Sequence, residues 1–362
     1  MRSALSIIAF SAMLMMPFNL AGQEKDTLLL SFKSISFVRN NEYYSPLTEG
    51  YTLPGYFIQP ELVYKPSGRL TLRLGAHLLS YSGTDKYVGI KPLFSSTLKI
   101  TENSLFTLGT LSGSHRHRLT DPLFYRERMY TNYSEDGFQL VVNNSRFFSD
   151  TWVSWENFIF KGGSDREIFT AGESAQYSVS LFSDILTIDV PLQVLIKHYG
   201  GQITDYPEPV ETFLSAAAGA GAGYNLIKGK VLLEYLFLLN NQLNGAENTE
   251  LIKGHAHWIK AGYAFKGLKL EAGLWNGKTF YAPDGNPIFC SVSVNNNEPS
   301  EDNKIITTGL FLNLSPESFF DFYFGFEGYY FTASRRFDNS LSLHISFDKL
   351  FRLAIIGERR RD

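Results

Sequence analysis

The stretch Leu186-Thr187-Ile188-Asp189-Val190-Pro191-Leu192-Gln193-Val194-Leu195-Ile196-Lys197 sets Leu186, Ile188, Val190, Leu192, Val194 and Ile196 on one side, and Thr187, Asp189, Pro191, Gln193 and Lys197 on the other. A period of two is that of an extended strand with one apolar face. The rule returns at Leu70, Leu72, Leu74, Ala76 and Leu78 against Thr71, Arg73, Gly75 and His77, and at Leu268, Leu270, Ala272 and Leu274 against Lys269, Glu271 and Gly273. Near the end, Phe320, Phe322, Phe324 and Phe326 oppose Asp321, Tyr323, Gly325 and Glu327, and Leu341, Leu343, Ile345 and Phe347 oppose Ser340, Ser342, His344 and Ser346. Strands of a soluble sandwich usually run five or six residues. Many of these runs are longer and reach the ~9–11 residues that a tilted strand needs to cross a hydrocarbon core. With lipid against the apolar face, only a closed barrel pairs every backbone group.

The connections alternate in length. Short turns fall at Pro66-Ser67-Gly68, Glu102-Asn103, Asn144-Ser145, Ser183-Asp184, Lys228-Gly229, Lys266-Gly267, Pro316-Glu317 and Asp348-Lys349. Longer polar loops fall around 40–54, 82–87, 113–136, 161–165, 200–209, 241–253, 280–303 and 333–338. Short periplasmic turns and long external loops belong to outer-membrane barrels. The fold class is therefore all-β, a transmembrane antiparallel up-and-down barrel of about 16 strands, within a range of roughly 14 to 18.

Composition agrees. Aromatic residues make up 15% of the chain, with 30 Phe and 20 Tyr, and no stretch after residue 22 has the length and apolarity of a membrane helix. A secreted β-sandwich shares the aromatic content, so periodicity decides between the two. The single Cys290 excludes an internal disulfide. The formal charge of −3 falls to −4 when Arg2 is removed with the leader, which argues against a nucleic-acid partner.

Met1 and Arg2, the apolar run Ala4–Phe18 and the small residues Ala21 and Gly22 have the form of a secretory signal peptide. The expected division is a signal peptide over 1–22, a transmembrane barrel over 23–349 and a C-terminal tail or closing strand over 350–362. Location in the cell outer membrane after export follows.

The run Gly109-Thr110-Leu111-Ser112-Gly113-Ser114-His115-Arg116-His117-Arg118-Leu119-Thr120-Asp121-Pro122-Leu123-Phe124-Tyr125-Arg126-Glu127-Arg128 resembles a segment of porin-like outer-membrane barrel proteins of Bacteroidota. Asn41-Glu42-Tyr43 with Gly50-Tyr51-Thr52, Trp155-Glu156-Asn157, and Tyr281-Ala282-Pro283 with Gly285-Asn286-Pro287 are similar to pieces of the same proteins. The resemblance spans most of the mature chain and implies fold and location. It carries over no functional residue.

The densest charge cluster is the 113–136 loop, with His115, Arg116, His117, Arg118, Arg126 and Arg128 near Asp121, Glu127 and Glu135. Folded into the lumen, such a loop would narrow it and favour anions, with Glu156 and Glu234 facing it. Left outside, its charges would pair with one another in solvent. The alternation turns Gln59, Glu61, Arg73, His77, Asp189, Gln193, Lys197, Lys260, Glu271, Asp321, Glu327 and His344 inward, which implies a polar lumen.

Ala216, Ala218, Ala220 and Ala222, alternating with Gly219, Gly221 and Gly223, make a strand of small residues that relieves curvature or makes room for a loop. His344-Ile345-Ser346 is the candidate hydrolase pair, but both polar residues fall on the lumen face, away from the bilayer that lipid hydrolysis must reach. His255 and His257 sit two apart with no third metal ligand, as lumen or rim histidines. Tyr43, Tyr44, Tyr51, Tyr56, Trp258, Tyr263, Trp275, Tyr281, Tyr329 and Tyr330 fall near strand ends as girdle residues.

The expectation is a passive, porin-like channel for small polar solutes, without enzymatic activity, catalytic residue, metal or cofactor. Its partners are membrane lipid, small polar solutes and possible outer-membrane proteins. A non-conducting scaffold barrel is the alternative, and a barrel hydrolase the third reading.

Overall fold

A computed structural model describes residues 26–44, 47–112, 117–245, 252–291, 303–317 and 319–356. The signal-peptide reading and residues His115 and Arg116 lie outside these. Sixteen antiparallel strands close into one barrel in which each strand pairs with its sequence neighbours and β1 pairs with β16. The strands are β1 (Thr27–Glu42), β2 (Tyr51–Lys65), β3 (Leu70–Tyr81), β4 (Gly89–Thr101), β5 (Ser104–Thr110), β6 (Asp136–Asn143), β7 (Phe147–Asn157) and β8 (Glu167–Leu181). They continue as β9 (Leu186–Gly200), β10 (Glu211–Asn225), β11 (Lys230–Asn244), β12 (Lys253–Phe265), β13 (Leu268–Lys278), β14 (Lys304–Glu317), β15 (Phe320–Phe331) and β16 (Arg336–Ile355). The closing seam runs from Thr27↔Ile355 to Glu42↔Asn339, so residues 350–355 continue the last strand.

Alternation places the apolar face outside. Leu74 is 60% exposed, Leu274 59% and Leu192 49%, while Glu61, Gln193 and Lys197, at positions of the opposite parity, are buried inside. Such exposure of large aliphatics suits a hydrocarbon solvent.

The inside is not uniformly polar. The short connections leave one rim bare, whereas two long loops from the other rim, described over 117–135 and 279–291, fold back into the outer half of the lumen. The first carries a single helical turn, α1 (Arg128–Thr131), and the second a 3₁₀ turn at Pro287–Phe289 whose Asn286 side chain accepts from the Ile288 amide. Leu123 of the first loop packs in one cluster with Phe280, Ile288 and Phe289 of the second and with Ala217, Leu236, Trp258 and Trp275 of the wall. Tyr130 joins a second cluster with Ile35, Phe37, Phe57 and Leu79.

Four of the ten expected girdle residues turn inward for this reason. Tyr43, Trp258, Trp275 and Tyr329 are buried against the plug, while Tyr44, Tyr51, Tyr56 and Tyr330 are exposed. Their parity along the strand, not their nearness to its end, decides the side. The small-residue strand β10 has a use here, since Ala217 touches the plug and Gly219 has no room for a side chain, its Cβ position lying 1.9 Å from the Tyr235 carbonyl oxygen.

Candidate functional site

Two long loops filling a barrel must satisfy their backbone and charges without bulk water. Strand β1 supplies Arg39, 1% exposed, whose Nε donates to Glu127 Oε2 at 2.9 Å and whose NH1 donates to Ser342 Oγ at 2.7 Å and lies 3.7 Å from Glu327. Asn41, two residues on, donates to the same Glu127 at 2.7 Å. Arg126 reaches Glu327 at 3.1 Å, and its amide donates to Asp121. Arg128 spans the loops, with NH2 on Glu135 at 3.1 Å and NH1 on Asp284 at 3.2 Å. Lys197 of β9 binds Asp284 at 3.0 Å and Glu156 at 2.5 Å, and the Thr170 hydroxyl donates to Glu156 at 2.6 Å and lies 3.1 Å from Asp284. These pairs join plug and wall into one network.

His117 forms the second focus. Its Nδ1 lies 2.9 Å from Asp150 and its Nε2 2.8 Å from Glu135, and its ring stacks on Trp152 with centroids 3.7 Å apart and planes parallel. Burial disfavours its charge, but hydrogen bonds and attraction from Asp150 and Glu135 prevail and raise its pKa. Burial likewise works against Arg126 and Arg128, yet the surrounding carboxylates raise both.

Of the loop bases named from sequence, His117, Arg126 and Arg128 thus meet inside the barrel with Glu156. Arg118 stands apart, its guanidinium 3.6 Å from the Phe148 ring and with no carboxylate partner among the described residues. The loop is neither a solvated external loop nor a ring of bare cations, because His117, Arg126 and Arg128 each meet an acid inside the barrel, while Arg118 is exposed to the lumen below them.

Below the plug the lumen stays open in two cavities. One of about 350 Å³ is lined by Lys33, Glu61, Arg73 and Tyr133. The other, of about 310 Å³, is lined by Arg118, Asp189, Glu234, Lys260, Lys269 and Glu271. Glu234 pairs with Lys260, and Glu271 with Lys269. Asp321 accepts from Ser315 near the rim of short turns, away from the plug. His344 faces inward, its Nδ1 2.9 Å from the Tyr130 hydroxyl. Of the two places expected for His255 and His257, the lumen is ruled out and the rim remains, since Ala256 and Trp258 occupy the inward positions of β12 and turn both histidines outward.

The sequence reading missed Arg39, Asn41, Trp152, Asp284 and Asn286. For Arg39 the signal was present, since Ile35, Phe37 and Arg39 share one parity in β1. Asp284 and Asn286 sit in a loop where no periodicity exists to place them.

The fold is shared with solved outer-membrane proteins at low identity. OprD of Pseudomonas aeruginosa is 12% identical with TM-score 0.51, over 91% of this chain and 95% of its own. OccK11 (OpdR) of the same organism is 11% identical with TM-score 0.53, over 93% and 100%. An anion-selective porin from Comamonas acidovorans is 10% identical with TM-score 0.51, over 89% and 99%. Among curated proteins none matches the chain.

The model of the family described as Lipid A 3'-O-deacylase-type matches residues 20–356. This overturns the expectation of a protein without enzymatic activity. That expectation rested on the inward direction of His344 and Ser346, which excludes one pair of residues and says nothing of the rest of the wall. The match covers all sixteen strands and both plugging loops, and the chain belongs to the Lipid A 3'-O-deacylase-type family.

Proposed function

We propose that the protein is an outer-membrane ester hydrolase that removes an acyl chain from a phosphorylated glycolipid of the outer leaflet. Family membership across the whole barrel carries this reading. The plug supports it, because a lumen crossed by Arg39–Glu127, Arg126–Glu327 and Arg128–Asp284 pairs leaves the outer half without a wide passage. The test is incubation of the purified, refolded protein with lipid A in mixed micelles, followed by mass spectrometry. Loss of one ester-linked acyl chain in the presence of protein is the expected result. Unchanged lipid A from protein whose barrel is folded overturns the reading.

A second reading, passage of small polar solutes, draws on the two polar cavities below the plug and on Arg118 at one of them, which has no acidic partner among the described residues. In this reading His117, Arg118, Arg126, Arg128 and Glu156, with His115 and Arg116, set the width and charge preference. Planar-bilayer conductance tests it: a wild-type protein that is silent, and stays silent when Arg39→Gln and Arg128→Gln loosen the plug, ends it.

A further inference from the structure

The outward face of β11 to β14 changes character toward the rim that bears the long loops. Over most of its height it is apolar, with Leu233 56%, Ile259 54% and Leu274 59% exposed. Higher up, the same face presents Tyr235 and Phe237 of β11, His255 and His257 of β12, Asn276 and Lys278 of β13 and Lys304 of β14, with Lys253 at the top of β12. The register sets these side by side. Phe237, His257, Asn276 and Lys304 form one row across four strands, and Leu239, His255 and Lys278 the row above it.

Parity fixes their direction, because Ala256, Trp258, Trp275 and Ile305 fill the alternate positions and are buried in the core of the plug. Lys253, Lys278 and Lys304 are exposed, and none has an acidic partner among the described residues. Elsewhere on the wall that height carries acids: Glu42 on β1, hydrogen-bonded by Asn40, and Glu167 on β8, hydrogen-bonded by Trp155. A depression of about 420 Å³ opens here between Asn240, Asn241, Lys253, Gly254, His255, Lys278 and Thr279. The side-chain oxygen of Asn241 in its lining is buried without a donor.

Ionisable residues on a lipid-facing wall are costly and mark sites of interaction. A ligand that suits this surface has negative charge at the rim, hydroxyl donors for Asn241, and apolar chains that lie down the wall over Tyr235, Phe237 and Ile259. We propose that this patch is a binding site for the phosphorylated sugar headgroup of an outer-leaflet glycolipid, with Lys253, Lys278 and Lys304 holding phosphate and His257, its Nδ1 2.9 Å from the Tyr235 hydroxyl, placed beneath it. Juxtamembrane basic groups attract anionic headgroups additively and in a salt-dependent way. The proposal rests on the glycolipid named above as substrate and deepens that reading by placing its headgroup on the wall; binding and cleavage are read separately.

The experiment measures binding of bisphosphorylated lipid A, its dephosphorylated counterpart and inorganic phosphate to the full barrel in nanodiscs. It compares wild type with Lys253→Gln/Lys278→Gln/Lys304→Gln and with a control, Lys65→Gln/Lys349→Gln, at the opposite rim. The expected result is a loss on the order of 100-fold for bisphosphorylated lipid A in the triple variant, from three lysine contacts, with little change in the control. Salt weakens the wild type more than the triple variant. Equal affinity for the dephosphorylated lipid, or equal loss in both variants, overturns the proposal. So does inorganic phosphate that displaces the lipid at similar concentration, which marks a simple anion site. Retention of the heat-dependent gel shift of a folded barrel shows that the triple variant is intact. Loss of lipid A cleavage with binding unchanged counts against the patch and not against hydrolysis, and the converse holds for an inactive protein that binds.

Discussion

His117 has both ring nitrogens committed, one to Asp150 and one to Glu135, and only the protonated ring can donate to both. Its pKa is raised in the folded protein, so the stability it contributes is fully present below the unfolded value of ~6.5 and is lost as pH rises through the higher folded value. Chemical unfolding of the wild type in lipid vesicles is therefore expected to weaken with pH across that window. His117→Gln, which donates to one carboxylate only, is expected to start about 1–3 kcal/mol less stable and to lose this slope. Equal slopes in both proteins would show that the ring is neutral. The basic character of this position was legible in the sequence as part of a charged loop. Its partners were less so, because Asp150 and Trp152 come from a strand whose inward parity becomes meaningful only when the loop is known to enter.

At the scale of elements, strands declared themselves and loops did not. Alternation over β9 or β15 names the lipid side and the lumen side residue by residue, whereas the 111–135 and 279–303 segments carry no period that could tell an external loop from a plug. What holds them inside is pairing between loops, above all Arg128, which joins Glu135 of the first to Asp284 of the second. Cys290 reports on that junction. It lies buried behind the 3₁₀ turn, and burial pushes its thiol up to about 11, so reaction with a maleimide must wait for the plug to open. Folded wild-type protein is expected to label slowly. Arg128→Gln, which removes charge-assisted hydrogen bonds worth about 1.5–3 kcal/mol each, is expected to label about tenfold faster or more. Labelling at one rate in both would mean that the two loops open independently of this bridge.

For the whole molecule, the strand number followed from turn spacing, and closure from the need to pair β1 with something. The barrel's dependence on lipid rests on the same alternation and can be tested at adjacent strands. Leu192 of β9 is 49% exposed on the outer wall near mid-height, and Gln176 of β8 faces the lower cavity with its amide 3.0 Å from Asp189. An arginine at the first position meets hydrocarbon and costs about 2–4 kcal/mol at the bilayer midplane. At the second it meets water and a carboxylate, and the change is expected to stay within about 1 kcal/mol. Unfolding midpoints of Leu192→Arg and Gln176→Arg in bilayers of matched thickness measure the contrast. In a detergent micelle, whose surface deforms around a charge, the gap between the two is expected to shrink. A gap of the same size in both solvents would mean that Leu192 packs against protein, and that the apolar face of this barrel is covered by a partner chain instead of lipid.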